Sequence, residues 1–290
     1  MHRAELRIYA ELNDFLPPEK RYTRFGCEFW VGGSVKDLIE AEGVPHTEVD
    51  LILVNGASVD FTYQVRDGDR ISVYPVFESL DISPALKVRP LPLRQTRFVL
   101  DVHLGRLAGY LRMLGFDALY RSDFRDEELV RISSEQGRIL LTRDLGLLKH
   151  GAVQYGYAVR ETNPRRQARE VLERFDLARS AAPFTRCLRC NDALEEAAKE
   201  KVLERLPEST RERYQEFRQC PGCGRVYWAG SHYQRMQRLV DELLADTSRS
   251  LCDVAQASGV MKRPENRRNQ RRDVLYHKLR RHAKHRALAA

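Results

Sequence analysis

Apolar and polar positions alternate in the manner of strands in three stretches of the first eighty residues. These are Leu6, Ile8 and Ala10, then Leu51, Leu53 and Val54, then Ile71, Val73 and Pro75. Asn55-Gly56 follows the second stretch and is a strong hairpin signal, because both residue types tolerate the positive φ that a tight turn demands. Between the first two stretches, Ser34-Val35-Lys36-Asp37-Leu38-Ile39 places a capping hydroxyl and an acid three residues later, where helical apolar spacing begins. The implied order, strand-strand-helix-strand-strand, is that of a β-grasp fold over residues 1–80. Pro84, Pro90 and Pro92 stand among few hydrophobes in 81–96, which reads as an extended linker.

From Arg97 the period changes. Phe98-Val99-Leu100 is a short apolar strand that runs into Asp101, and Leu104, Leu107, Ala108, Leu111 and Leu114 follow at helical spacing with Gly115 as the stop. Phe116 to Tyr120 predicts a second strand, Asp126 to Glu135 a helix, and Arg138 to Thr142 a buried strand that again runs into an acid, Asp144. Asn163-Pro164 opens a helix through Phe175 with a capping side chain and a proline in its first turn. Strands alternating with helices predict an α/β domain with a mainly parallel sheet over 97–182.

Ligands of an open parallel sheet gather beyond the carboxyl ends of its strands, where Asp101 and Asp144 are expected. Two neighbouring carboxylates repel, and a hard cation such as magnesium or manganese relieves that repulsion and can activate water against a phosphodiester. An Asp after a strand also serves as a helix cap, and phosphoacceptor domains place acids there too. Asp117, Asp123 and Asp126 are further acids expected at the same edge. Arg106, Arg112, Arg121, Arg125, Arg143 and Lys149 surround them in sequence. Such cations hold a nucleic-acid backbone or simply line solvated faces. Arg112 and Arg143 are the strongest candidates, with Lys149 behind them.

Cys187-Leu188-Arg189-Cys190 and Cys220-Pro221-Gly222-Cys223 have the spacing of two metal knuckles. Four thiolates suit a structural zinc ribbon over 183–235, with Gly222 and Gly224 permitting the turn and the insert 191–219 read as helical and charged. Four protein ligands leave no open coordination position, so this metal is expected to fold the module. Redox-active dithiols are the competing reading, disfavoured because thiols held on zinc are not free to exchange. Val226-Tyr227-Trp228-Ala229-Gly230-Ser231-His232 follows. Its aromatics either pack on the knuckle or stack on bases, and His232 is a candidate phosphate contact. Cys27 and Cys252 receive no role.

The chain has 290 residues, 42% hydrophobic and 31% charged, with a formal net charge of +8. The charge is concentrated at the end: 261–290 carries 11 Lys and Arg against Glu265 and Asp273, so the remainder is nearly neutral. The segment 236–290 reads as a basic disordered tail, either simply solvated or a binding surface for a polyanion through counterion release. No apolar run reaches the roughly 18 residues of a membrane span and the start lacks a signal peptide, so a cytoplasmic protein is expected.

The first eighty residues resemble the ubiquitin-like sulfur carriers in Val54-Asn55-Gly56 and Asp67-Gly68-Asp69-Arg70-Ile71. Those carriers work through a free terminal Gly-Gly. Here Phe77-Glu78-Ser79-Leu80 stands instead and the chain runs on, so a binding or scaffolding role is expected. Further along, the stretch Asp101 to Arg112, Leu114-Gly115-Phe116-Asp117, Arg138 to Asp144, the four cysteines and Tyr227 to His232 together resemble a known family. It is the PIN-like ribonuclease module with a zinc ribbon named for the carboxyl end of the Mut-seven exonuclease, whose bacterial members often carry a ubiquitin-like domain in front. The resemblance implies a metal-dependent ribonuclease in which Asp101 and Asp144 match the strand-end acids and Asp126 is a third metal ligand. Many PIN nucleases have a fourth acid soon after the position of Asp144, whereas Leu145 to His150 supplies none. A reduced metal site, and with it a non-catalytic RNA- or ribosome-associated adaptor that recruits partners through the ubiquitin-like domain, is the alternative.

Overall fold

The computed structural model describes residues 1–75, Val88 and 96–257, with side chains as far as Ala245. The amino-terminal domain consists of β1 (His2–Ile8), β2 (Arg24–Phe29), α1 (Val35–Ala41), β3 (Leu51–Val54), β4 (Ala57–Val59) and β5 (Arg70–Tyr74). Its sheet runs β2-β1-β5-β3-β4, with β1 and β5 parallel and the other pairs antiparallel, which is the β-grasp arrangement. Ser34 and Asp37 form the expected capping box at the start of α1. Asn55 and Gly56 both hold positive φ, 51° and 86°, and so turn β3 into β4. The inward face of β1 is Ala4, Leu6 and Ile8; Ala10 is exposed. The predicted linker 81–96 lies almost wholly outside the described residues, and Val88 is buried against this domain's core.

The second domain contains β6 (Arg97–Leu100), α2 (Gly105–Met113), β7 (Asp117–Leu119), α3 (Asp126–Gln136), β8 (Ile139–Thr142), α4 (Leu145–Leu148), β9 (Gly156–Ala158) and α5 (Pro164–Arg174). Every pairing in its sheet, ordered β7-β6-β8-β9, is parallel. Both faces are covered, which is why the strands read as unbroken apolar runs. Phe98, Leu100, Ile139 and Leu141 face the core formed with α2 and α5. Val99 and Leu140 face Leu129, Val130 and Ile132 of α3 and Leu147 and Leu148 of α4 on the other side. The short elements β9 and α4 carried too little periodicity to be predicted.

The third part holds β10 (Glu195–Ala197), α6 (Lys199–Val202), α7 (Glu208–Arg213), β11 (Phe217–Gln219) and β12 (Val226–Tyr227), with a three-stranded antiparallel sheet. The final helix, α8 (Ser231–Ala257), corrects the predicted boundary at 236. Val240 and Leu243 are buried in the core of the second domain, and Met236, Leu239 and Leu244 pack against it. An apolar face at helical spacing was therefore hidden in a segment read as a tail by its charge. The remainder of that expected tail, 258–290, lies outside the described residues. Residues Met1–Thr247 form one compact unit. Among the described residues no helix is long and apolar enough to cross a membrane.

The amino-terminal domain is docked on the second. The 3-10 turn His46–Glu48 is wholly buried. Glu48 Oε1 accepts a 2.6 Å hydrogen bond from the Ala158 amide of edge strand β9, and Arg160 lies 3.9 Å from Oε2. His46 bridges Glu40 (2.6 Å) and the Val153 carbonyl (2.9 Å), while Arg160 lies over the rings of Phe15 and Tyr157. Burial pushes the Glu48 carboxyl above its ordinary pKa, opposed by Arg160 and the Ala158 amide. Removing one member of such a buried charged pair typically costs 3–5 kcal/mol because the other is left uncompensated. Glu48→Ala is expected to lower stability by about 3 kcal/mol in urea unfolding monitored on the full chain. An unchanged midpoint would show that this contact does not hold the domains together.

Candidate active site and cysteine centre

Strands β6 and β8 are neighbours, so their carboxyl ends place Asp101 and Asp144 side by side. The hydroxyl of Thr142, the last residue of β8, donates to Asp101 Oδ2 at 2.7 Å and accepts from the Asp144 amide at 2.9 Å. The Asp101 amide is bonded in turn to the Leu141 carbonyl at 3.1 Å. Asp101 is buried and Asp144 is exposed. Both also cap: Asp101 Oδ1 accepts from the His103 amide at 3.4 Å, and Asp144 Oδ1 from the Gly146 amide at 2.7 Å. The capping and ligand readings are therefore compatible, since a carboxylate has about four acceptor sites and each of these uses one or two.

Asp126 stands exposed at the first position of α3. Among the described residues, the group of three or more potential metal ligands with atoms within 4.8 Å of one another is the cysteine set; Asp101, Asp126 and Asp144 form no such group. Asp123 is paired with Arg121 at 2.7 Å. Asp117 is at the opposite edge, because it begins β7 where Asp101 follows the end of β6. It is bonded to Arg138 at 2.7 Å and to Asn191 at 2.7 Å, and Arg186 lies 3.8 Å away. Burial raises the Asp117 carboxyl, but these partners outweigh it and hold it below its ordinary value.

A cleft of about 500 Å³ opens at the carboxyl edge. His103, Gly105 and Arg106 reach it from behind β6, Tyr120 from behind β7, Arg143 from behind β8, and Thr162, Pro164 and Gln167 from behind β9. Gly105 is required here: a Cβ would collide with the Tyr120 ring and hydroxyl, which donates at 3.0 Å to the Val102 carbonyl. Of the predicted RNA contacts, Arg143 lines this cleft. His232 is exposed in the first turn of α8, outside the cleft lining.

The other two expected contacts lie outside the cleft lining, and one of them is corrected. Lys149 Nζ donates to the Glu40 carbonyl of the amino-terminal domain at 2.8 Å, which ties its ammonium to that domain. Arg112 is only 4% exposed. Its guanidinium donates to four backbone carbonyls: Ala118 (2.8 Å), Arg189 (2.9 Å), Leu188 (3.2 Å) and Tyr120 (3.4 Å). Burial lowers its pKa, opposed chiefly by Cys187 and Cys190. The helical pattern showed where Arg112 sits, but nothing in the pattern showed that a cysteine knuckle would cover it.

The four cysteine sulfurs lie within 4.8 Å of one another, with Cys187 and Cys223 at 3.5 Å and Cys190 and Cys220 at 3.2 Å. Each pair sits in a turn closed from the fifth residue back to the first, Asn191 to Cys187 and Gly224 to Cys220. Those fifth residues share a left-handed backbone, φ 77° and 70°. The sequence-based reading singled out Gly224 but missed Asn191. Burial opposes ionisation of Cys187, yet the Tyr227 hydroxyl and the amides of Cys190 and Arg189 bring it down to about 6. Burial instead pushes Cys190 and Cys220 up, as expected of thiols that cannot all ionise together without a cation. Four close sulfurs of this kind can hold a metal ion such as zinc, with an ideal Zn–S distance of about 2.3 Å.

Two matches to family models follow the same division. The model of the Mut7-C RNAse domain matches residues 96–240, half of the chain, and that of Mut7-C ubiquitin matches residues 1–81. The chain belongs to the Mut7-C RNAse domain family. No curated protein and no solved structure matches it.

The Mut7-C match runs through the cysteine centre to Val240, in keeping with a ribbon built into the nuclease domain. Tyr227 is half-buried with its hydroxyl 3.1 Å from Cys187 Sγ, and Trp228 packs against Val202, Leu206 and Phe217, so these aromatics serve packing. The Mut7-C domain should bind one zinc per chain. Arg112→Lys, which keeps the charge but loses the planar fork, is expected to cost roughly 2–3 kcal/mol because buried carbonyls lose their donors. Thermal unfolding with parallel zinc analysis checks this; full stability and full zinc content in the variant would refute the role given to Arg112.

Proposed function

We propose that this chain is a metal-dependent ribonuclease that hydrolyses RNA phosphodiester bonds at the carboxyl edge of β6 and β8. The observation that carries the reading is the pairing of Asp101 and Asp144 through the Thr142 hydroxyl beside a cleft lined by basic side chains. Magnesium or manganese, held by Asp101 and Asp144 with Asp126 as third ligand, would supply Lewis acidity and an activated water. The chain's own groups do the positioning. Thr142 and the His103 amide fix the Asp101 carboxylate, and the Gly146 amide holds Asp144, with acceptor capacity to spare on both acids. Arg143 lies next to Asp144 and offsets phosphate charge where the water oxygen bonds to phosphorus and the leaving oxygen departs with a proton.

In this reading the zinc ribbon is structural, and its end, with His232, extends the RNA-binding surface. The ubiquitin-like domain contributes a protein-binding surface on the faces it does not use for docking. Thiolates held on zinc fit a reducing compartment, and we place the protein in the cytoplasm.

A second reading, an RNA-bound adaptor without cleavage, is favoured by one observation: the three acids are not gathered into a preformed ligand set. Labelled RNAs incubated with magnesium or manganese separate the two. Wild type should release products, and Asp101→Asn/Asp144→Asn, shown to be folded, should reduce the rate by at least 100-fold, the scale of loss expected when charge stabilisation is removed. RNA bound equally by both proteins and cut by neither would replace the nuclease with the adaptor.

A further inference from the structure

The cleft at the carboxyl edge contains charge that the protein does not neutralise. Arg121, Arg131 and Arg138 of the same domain pair with Asp123, Glu135 and Asp117. Among the described residues, the guanidiniums of Arg106 and Arg143 have no hydrogen bond or ion pair, and the His103 ring makes none either. All three line one cleft of about 500 Å³, within the roughly 300–1,000 Å³ range of sites that enclose a single small ligand. Two unpaired guanidiniums lining one concave site match an oxyanion such as a phosphate, and no carboxylate lines the cleft to neutralise them.

The walls are rigid on the sides that would meet such a group. Tyr120 is anchored by its hydroxyl to Val102 over Gly105. On the β9 side, Gln167 donates to the Glu161 carbonyl at 2.8 Å, and Glu170 accepts from the amides of Arg160 and Glu161 at 2.8 and 3.0 Å. A fixed aromatic wall beside two free arginines can take a base against its face while its phosphate meets the guanidiniums.

We propose that Arg106, Arg143 and His103 form a phosphoryl-binding subsite that holds one nucleotide of the RNA strand next to Asp101 and Asp144, with Tyr120 as the wall for its base. The placement next to the scissile bond rests on the nuclease reading; the binding of the phosphoryl group does not. The phosphoryl group comes either from an internal phosphodiester or from a terminal phosphate monoester, and Arg106 and His103 join Arg143 in holding it.

The test reads binding without cleavage. Zinc-loaded full-length chain, with no magnesium or manganese added, is titrated against a fluorescent short RNA, and anisotropy is followed over a range of salt. Arg106→Gln/Arg143→Gln should bind at least 10-fold more weakly and lower the slope of log K against log salt by about 0.7 to 1.4, for one or two phosphate contacts on a single strand. Arg131→Gln, which removes an exposed arginine paired on α3, should bind as wild type, and all variants should melt with wild type. Tighter binding of a 5′- or 3′-phosphorylated RNA than of its hydroxyl-ended counterpart, lost in the double variant, assigns the site to a terminal phosphate. Equal binding of the two, with the same loss in the double variant, assigns it to an internal phosphodiester. Wild-type affinity and slope in the double variant would overturn the subsite. If the arginines govern binding but wild type cuts nothing when magnesium is restored, the nuclease reading fails and the subsite stands.

Discussion

A four-stranded parallel sheet ends on two edge strands whose outward amides must find acceptors, and the rest of this protein is arranged around that requirement. At β7 the Ala118 amide donates to Asn191 of the first cysteine knuckle at 2.9 Å, and its carbonyl accepts from Arg112. At β9 the Ala158 amide donates to Glu48 of the ubiquitin-like domain. One edge is thus satisfied by the cysteine module and the other by the amino-terminal domain. Neither appendage hangs free from the Mut7-C domain; each supplies a side-chain acceptor where a further strand would otherwise have paired.

The electrostatics follow from the same arrangement. Arg112 is a buried cation with carbonyl partners only, a costly state unless negative charge lies near. Cys187, Cys190 and Asp117 are that charge. With a divalent ion bound, four thiolates would carry a net charge of −2, and the knuckle and the guanidinium would then offset one another across β7. The Tyr120 carbonyl, which also receives Arg112, belongs to the residue that walls the cleft. The first cysteine knuckle is therefore linked through Arg112 to the residue that walls the cleft.

Much of this is legible in the sequence. The alternation in 1–80, the capping box at Ser34 and Asp37, the strand-then-acid sequences at Asp101 and Asp144 and the paired Cys-x-x-Cys units each have a local physical cause, and local causes survive in sequence. What was missed depends on contacts between distant segments. Arg112 looks like a surface cation until the knuckle covers it, and the bond from Lys149 to Glu40 joins segments far apart in the chain. Asp117 was expected at the same edge as Asp101, whereas the parallel register sets it at the start of β7, opposite Arg97. The apolar stripe Met236, Leu239, Val240, Leu243 was present at helical spacing but was outweighed by the charge that follows it. Arg106 and His103 gained importance only once the strand ends converged on one cleft.

The claim on which this account rests is that the cysteine knuckle closes the β7 edge of the sheet. Hydrogen exchange of the full chain, followed by mass spectrometry before and after removal of zinc with a chelator, tests it most directly. The account predicts that metal removal speeds exchange in the peptides carrying α2 and β7 together with the two knuckles, while the peptide carrying Ala158 stays protected by Glu48. Fast exchange confined to the knuckles, with β7 as slow as before, would show that the module folds apart from the sheet and would contradict the account.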